Sequence, residues 1–204
     1  MSTGTPETIQ IPIEPPDVEA RIISIGAYLG AAAMAFFFIA FLFAFFYLRA
    51  LNTNGLWGGG KPGHHVHPAL TVGIIVFVCV LGSVALVRVS LAGFRAEKGY
   101  ARRVAVVALG LGLAAVAVQC WQYTDLGFGP GDGGYASVYL GWTGFFTILA
   151  FVVLIWLEIL LATPRPIGRM RAGRLESEFA SFSIVWTMLG IVEVAAFILL
   201  YLVQ

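Results

Sequence analysis

The chain has 204 residues, of which 59% are hydrophobic and only 11% charged, with a formal net charge of +1. A soluble domain carries about 25% charged residues. Together with a mean hydropathy of +0.90, these totals exclude a soluble enzyme and a nucleic-acid binder, and they predict an all-α integral membrane protein built as one bundle.

Residues 1–21 read as a polar, proline-bearing cytoplasmic tail, without the basic segment, short apolar core and cleavage site of a signal peptide. The rest, 22–204, reads as a single membrane domain with spans at about 22–48, 69–93, 104–123, 135–162 and 179–203. The first span is uncharged and rich in aromatics, among them Phe36, Phe37, Phe38, Phe45, Phe46 and Tyr47. The connection 49–68 is glycine-rich and holds His64, His65 and His67. The second span leads into the basic connection Arg88–Arg103. The third carries Gly110, Gly112, Ala114, Ala115 and Ala117, small residues of the kind that let helices approach closely in lipid. A turn-forming stretch, Thr124–Gly134, precedes the fourth span, and Pro164 and Pro166 end it. A second basic connection leads to the fifth.

Lys and Arg are retained on the cytoplasmic side of a membrane. Ten of the twelve basic residues fall on the N-terminal tail and the two basic connections, while only Arg49 and Lys61 fall opposite. The expected topology is therefore five transmembrane helices, N-terminus inside and C-terminus outside.

No histidine lies in a span, and no iron–sulfur or c-type haem spacing occurs. Neither a catalytic residue nor a cofactor is expected in this chain. His64, His65 and His67 form a weak metal candidate, since alternate residues of an extended chain share a side; the plainer reading is a polar loop. The two cysteines, Cys79 and Cys120, read as ordinary buried thiols. Two carboxyls fall inside spans. Glu158, near the inner end of the fourth, is expected to snorkel to the surface. Glu193, near the middle of the fifth, is either a packed, hydrogen-bonded acid or a group that handles protons. Gln119, Gln122 and Tyr123 close the third span as a polar clasp between helices three and four or five. Trp121, Tyr139 and Trp142 read as an aromatic belt.

Four groups of residues carry a family likeness. They are Ser24-Ile25-Gly26 opening span one, with a run ending in Arg49-Ala50; Ala96-Glu97-Lys98-Gly99 in the basic loop; Gln119-x-x-x-Tyr123, then Tyr135-Ala136-Ser137-Val138-Tyr139 and Thr143-Gly144-Phe145; and Trp186 with Tyr201 in span five. In this order they resemble subunit III of the haem–copper terminal oxidases, in the five-helix form of actinobacterial cytochrome c oxidase. The chain departs from that family at several polar positions. Ala33-Met34-Ala35 stands where a buried glutamate is usual, Phe146 and Leu149 where a pair of histidines is, Gln122 in place of a carboxylate, and Trp186-Thr187…Gly190 in place of Trp-His…Asp. The resemblance implies a non-catalytic subunit in a bacterial plasma membrane. It would stabilise a catalytic subunit that holds the haems and copper, shield its proton-uptake region and bind phospholipid, alongside other oxidase subunits. Alternatives are an accessory protein of a nitric oxide reductase or another respiratory complex, and a small proton-coupled transporter that uses Glu193.

Overall fold

The computed structural model describes residues 16–52, 56–58, 66–163 and 169–203. The described chain is helical, with five helices long and apolar enough to cross a membrane. They are α1 (Pro16–Ala50), α2 (Leu70–Arg95), α3 (Ala101–Thr124), α4 (Gly134–Ala162) and α5 (Arg169–Phe197), and α5 runs on into a π turn, Ile198–Leu202. A single 3-10 turn, Leu56–Gly58, follows α1. At 1.5 Å per residue, even the 24-residue α3 is about 36 Å long and exceeds a hydrocarbon core. This is the form of a multi-pass membrane bundle.

Two helices begin earlier than the apolar pattern predicts. α1 starts at Pro16, so the last part of the expected tail is helical. Proline suits a first helical position, and Glu19 lies close to the positive end of the helix dipole. α5 starts at Arg169 rather than near 179, because helix formation continues past the apolar boundary.

The helices alternate in direction. Contacts Ser90–Ala101, Arg95–Glu176 and Arg102–Leu161 gather one end, here called the basic end. Contacts Tyr139–Tyr201 and Trp57–Tyr135 gather the opposite end. α5 is the centre of the bundle and packs on α1, α2 and α4. Of its most apolar stretch 56% is buried, against 17% for α1, which lies at the periphery.

The α2–α3 connection is held by a helix-ending motif. Lys98 N–H donates to the Gly93 carbonyl (2.9 Å) and Glu97 N–H to Phe94 (3.1 Å), with Glu97 in the left-handed region at φ 52°. α2 and α3 then meet along small residues: Ser83, Ser90 and Gly93 on one, Ala101, Ala105 and Ala108 on the other, all buried. Of the small residues expected to let α3 approach its neighbours closely, Gly112 and Ala115 are buried, Gly112 against Leu154 of α4 and Trp186 of α5, while Gly110, Ala114 and Ala117 face outward. Ser83 ties three helices together: its hydroxyl donates to the Ala108 carbonyl (2.7 Å) and accepts from the Trp186 indole (3.1 Å). α1 instead meets α4 through aromatic rings, with Phe37–Phe145 at 5.1 Å and Phe38–Trp142 at 6.0 Å between centroids.

Candidate functional site

The polar side chains of α3, α4 and α5 converge at the end opposite the basic one. Gln119 and Gln122 are one helical turn apart on the buried face of α3, and Gln119 Nε2 donates to Gln122 Oε1 at 3.1 Å. The same oxygen receives the Tyr201 hydroxyl at 3.4 Å. Tyr201 in turn lies 3.0 Å from the Tyr139 hydroxyl. Since Tyr201 gives its hydrogen to Gln122, Tyr139 donates in that pair. Tyr123 reaches Thr147 Oγ1 at 3.2 Å, and Thr147 gives its own hydrogen to the Thr143 carbonyl (2.7 Å), so here Tyr123 is the donor. Tyr135 donates to the Leu200 carbonyl at 2.5 Å, inside the π turn. The last carbonyls of a helix lack intrahelical partners, and a neighbouring hydroxyl meets that need.

The clasp expected of Gln119, Gln122 and Tyr123 is therefore present and joins α3 to both candidate neighbours, to α5 through Tyr201 and to α4 through Thr147. Trp186 lies outside it, buried at mid-bundle against Ser83. The aromatic belt is corrected at two of its three positions. Tyr139 and Trp142 are fully buried, because they stack within the core, and only Trp121 faces outward. Cys120 is likewise exposed, while Cys79 is half-buried, and both are free thiols.

Beneath the clasp lies a small cavity of about 10 Å³, lined among others by Gly73, Gln119, Trp142, Thr143, Glu193 and Tyr201. That is the room needed for one water molecule. Glu193 is 7% exposed, and no Lys or Arg lines the cavity. The Trp142 indole nitrogen and Gln122 Nε2 are buried without a partner among the described residues. Glu158 is different: it is exposed near the end of α4. His64 and His65 lie outside the described residues, and His67 is exposed. Among the described residues no three His, Cys, Asp or Glu side chains cluster.

At the basic end an open groove of about 620 Å³ lies between α1, α2 and α5, lined by Tyr28, Arg88, Leu91, Arg95, Ser183 and Ile184. Arg88 Nε and Nη2 both lie 3.3 Å from Thr187 Oγ1, and Arg95 pairs with Glu176 at 3.2 Å. The sequence reading did not single out this groove. Its signal was present in two arginines seven residues apart, which helical spacing sets on one side of α2.

The fold and these sites define a helical membrane bundle with a hydrogen-bonded knot at one end and a cationic groove at the other. A scan against models of known protein families returns no match, and a search of curated proteins returns none.

Proposed function

We propose that the chain is a non-catalytic, subunit III-like component of a bacterial respiratory haem–copper oxidase. One observation carries this reading. The motif residues behind the resemblance, Gln119, Tyr123, Tyr135, Tyr139, Thr143 and Tyr201, come from three helices and meet in a single knot. They are engaged with one another and with backbone carbonyls, which suits a scaffold. Haem and copper belong to the catalytic partner in this reading, and this chain supplies packing surface and lipid sites. The groove supports the lipid part: two guanidiniums beside apolar walls suit an anionic headgroup with its acyl chains. The basic end faces the cytoplasm, so the N-terminus is inside and the C-terminus outside.

The test is affinity purification of the tagged full chain from its native membrane in mild detergent, with visible spectra and mass spectrometry. Stoichiometric recovery of a haem-bearing oxidase catalytic subunit is expected. A nitric oxide reductase in its place would move the chain to that enzyme. A colourless chain with no partner would overturn the reading. A second reading, a small proton-coupled transporter, draws on Glu193 at its enclosed cavity. It requires proton-coupled uptake by the chain alone in liposomes, abolished by Glu193→Gln.

A further inference from the structure

Two small cavities adjoin inside the bundle, each of about 10 Å³. Val76, Gln119 and Phe146 belong to the walls of both. The one beneath the clasp is completed by Trp142, Thr143, Glu193 and Tyr201 among others, and the one nearer mid-bundle by Gly112, Thr147 and Trp186 among others. Size does not tell them apart, since either has room for one water molecule. Their polar groups do.

At the mid-bundle cavity the polar side chains are already engaged. Thr147 gives its hydrogen to the Thr143 carbonyl (2.7 Å) and receives that of Tyr123 (3.2 Å). Trp186 donates its indole N–H to Ser83 (3.1 Å), and Gln119 donates to Gln122 (3.1 Å). The rest of that wall is apolar, and cavities of this kind stay dry. At the cavity beneath the clasp two groups are not engaged. Trp142 is 1% exposed, and its indole N–H has no acceptor among the described residues. The Glu193 carboxyl has no hydrogen bond or ion pair there. Taking an unpaired donor or carboxyl out of water is costly, and an ionisable side chain at membrane depth ordinarily finds a partner or a water-filled space. Thr143 adds an acceptor: its hydroxyl hydrogen goes to the Tyr139 carbonyl (2.6 Å), which leaves the oxygen able to accept.

We propose that the cavity beneath the clasp is a binding site for one ordered water molecule, which accepts the Trp142 N–H and donates to the Glu193 carboxyl and to Thr143 Oγ1. That gives the water its usual complement of about three partners. A metal cation does not suit the site, because the Trp142 N–H needs an acceptor and no three His, Cys, Asp or Glu side chains cluster among the described residues. Gln119 and Tyr201 line the same cavity and belong to the knot, so the water sets Glu193 at the base of that network. The inference gives Glu193 a partner and holds whether the chain is an accessory subunit or a transporter.

The test is a structure of the full chain, purified with whatever accompanies it from the native membrane in mild detergent, at a resolution that shows ordered waters. One water peak should lie about 2.7–3.2 Å from both Trp142 Nε1 and a Glu193 oxygen, and none in the cavity at Gly112 and Trp186. Glu193→Gln keeps an acceptor oxygen and should keep the peak, whereas Glu193→Leu should lose it. Ultraviolet resonance Raman spectra, with the Trp142→Phe spectrum subtracted, give a second readout: the Trp142 indole should be hydrogen-bonded in the wild type and in Glu193→Gln, and unbonded in Glu193→Leu. No peak in the wild type, a direct Trp142–Glu193 bond without water, or peaks alike in both cavities would each overturn the proposal. So would a site ringed by oxygens at about 2.3–2.6 Å, the mark of a hard cation, or a Glu193→Leu variant that keeps both the peak and the bonded indole. The wild-type structure decides the matter even where Glu193→Leu does not fold.

Discussion

Tyr201 shows how much one side chain holds here. Its ring lies over Gly73, where a Cβ would come within 2.5 Å of Cε1 and Cζ, and its hydroxyl serves both Gln122 and Tyr139. Gly73→Ala should push the ring away and break both bonds, at a cost of about 1–3 kcal/mol. Tyr201→Phe should cost about 1 kcal/mol, and the double variant should cost less than the sum. Thermal unfolding in mild detergent checks all three; strict additivity would mean that the ring and Gly73 do not act together. Ser83 carries a second prediction. Ser83→Ala leaves the buried Trp186 N–H without an acceptor and should cost about 1–3 kcal/mol, much of it recovered by Trp186→Phe, which removes the stranded donor. A polar clasp on α3 was legible in the sequence, since two glutamines and a tyrosine at helical spacing in an apolar run must find partners. Which partners they find was not. Thr147 and Tyr201 lie 24 and 79 residues from the α3 side chains they bond, and only the bundle geometry chooses among the polar groups at that end. Ser83 was passed over, although a serine spaced by seven from Ser90, on the stripe that also holds Val76, Val80 and Val87, marks a buried face.

At the level of elements, five spans were readable because twenty apolar residues in a row have few other uses. Their ends were less readable: hydropathy reports where lipid begins, whereas a helix continues until its caps stop it. The interior contacts obey a rule that composition could not supply. All the small residues of α3 looked alike in sequence, yet only one stripe faces α2, α4 and α5. A Cβ at Gly112 would meet Leu154 at 2.7 Å and the Trp186 ring at 3.3 Å, whereas one at Gly110 meets nothing within 4 Å. Gly112→Val should therefore destabilise by about 1–3 kcal/mol through overpacking, and Gly110→Val should leave the melting temperature essentially unchanged. Equal effects would place the α3 contact on the wrong face. The α2–α3 turn invites the opposite kind of change. Glu97 occupies a left-handed position that favours glycine, so Glu97→Gly should stabilise by about 1 kcal/mol in the same assay.

For the whole molecule, orientation decides what each site can meet. The basic end holds Arg21, Arg88, Arg95, Lys98, Arg102 and Arg103 around the groove and the α2–α3 turn, while the opposite end holds the tyrosine knot and, at the close of α1, Arg49. In the orientation we propose, with Lys and Arg retained on the cytoplasmic side, the groove lies against the inner leaflet and the knot toward the outside. Inner leaflets carry the anionic lipids, so the same asymmetry that orients the chain gives the groove its expected ligand. Two exposed positions test the orientation directly, Lys98 in the α2–α3 turn and Asp132 in the α3–α4 loop. With Cys79 and Cys120 replaced by serine, a membrane-impermeant maleimide added to intact cells should label Asp132→Cys. Lys98→Cys should react only after permeabilisation. The reverse pattern would invert the bundle and send the groove to the outer leaflet, and labelling of both positions in intact cells would mean that α3 does not cross the membrane between them.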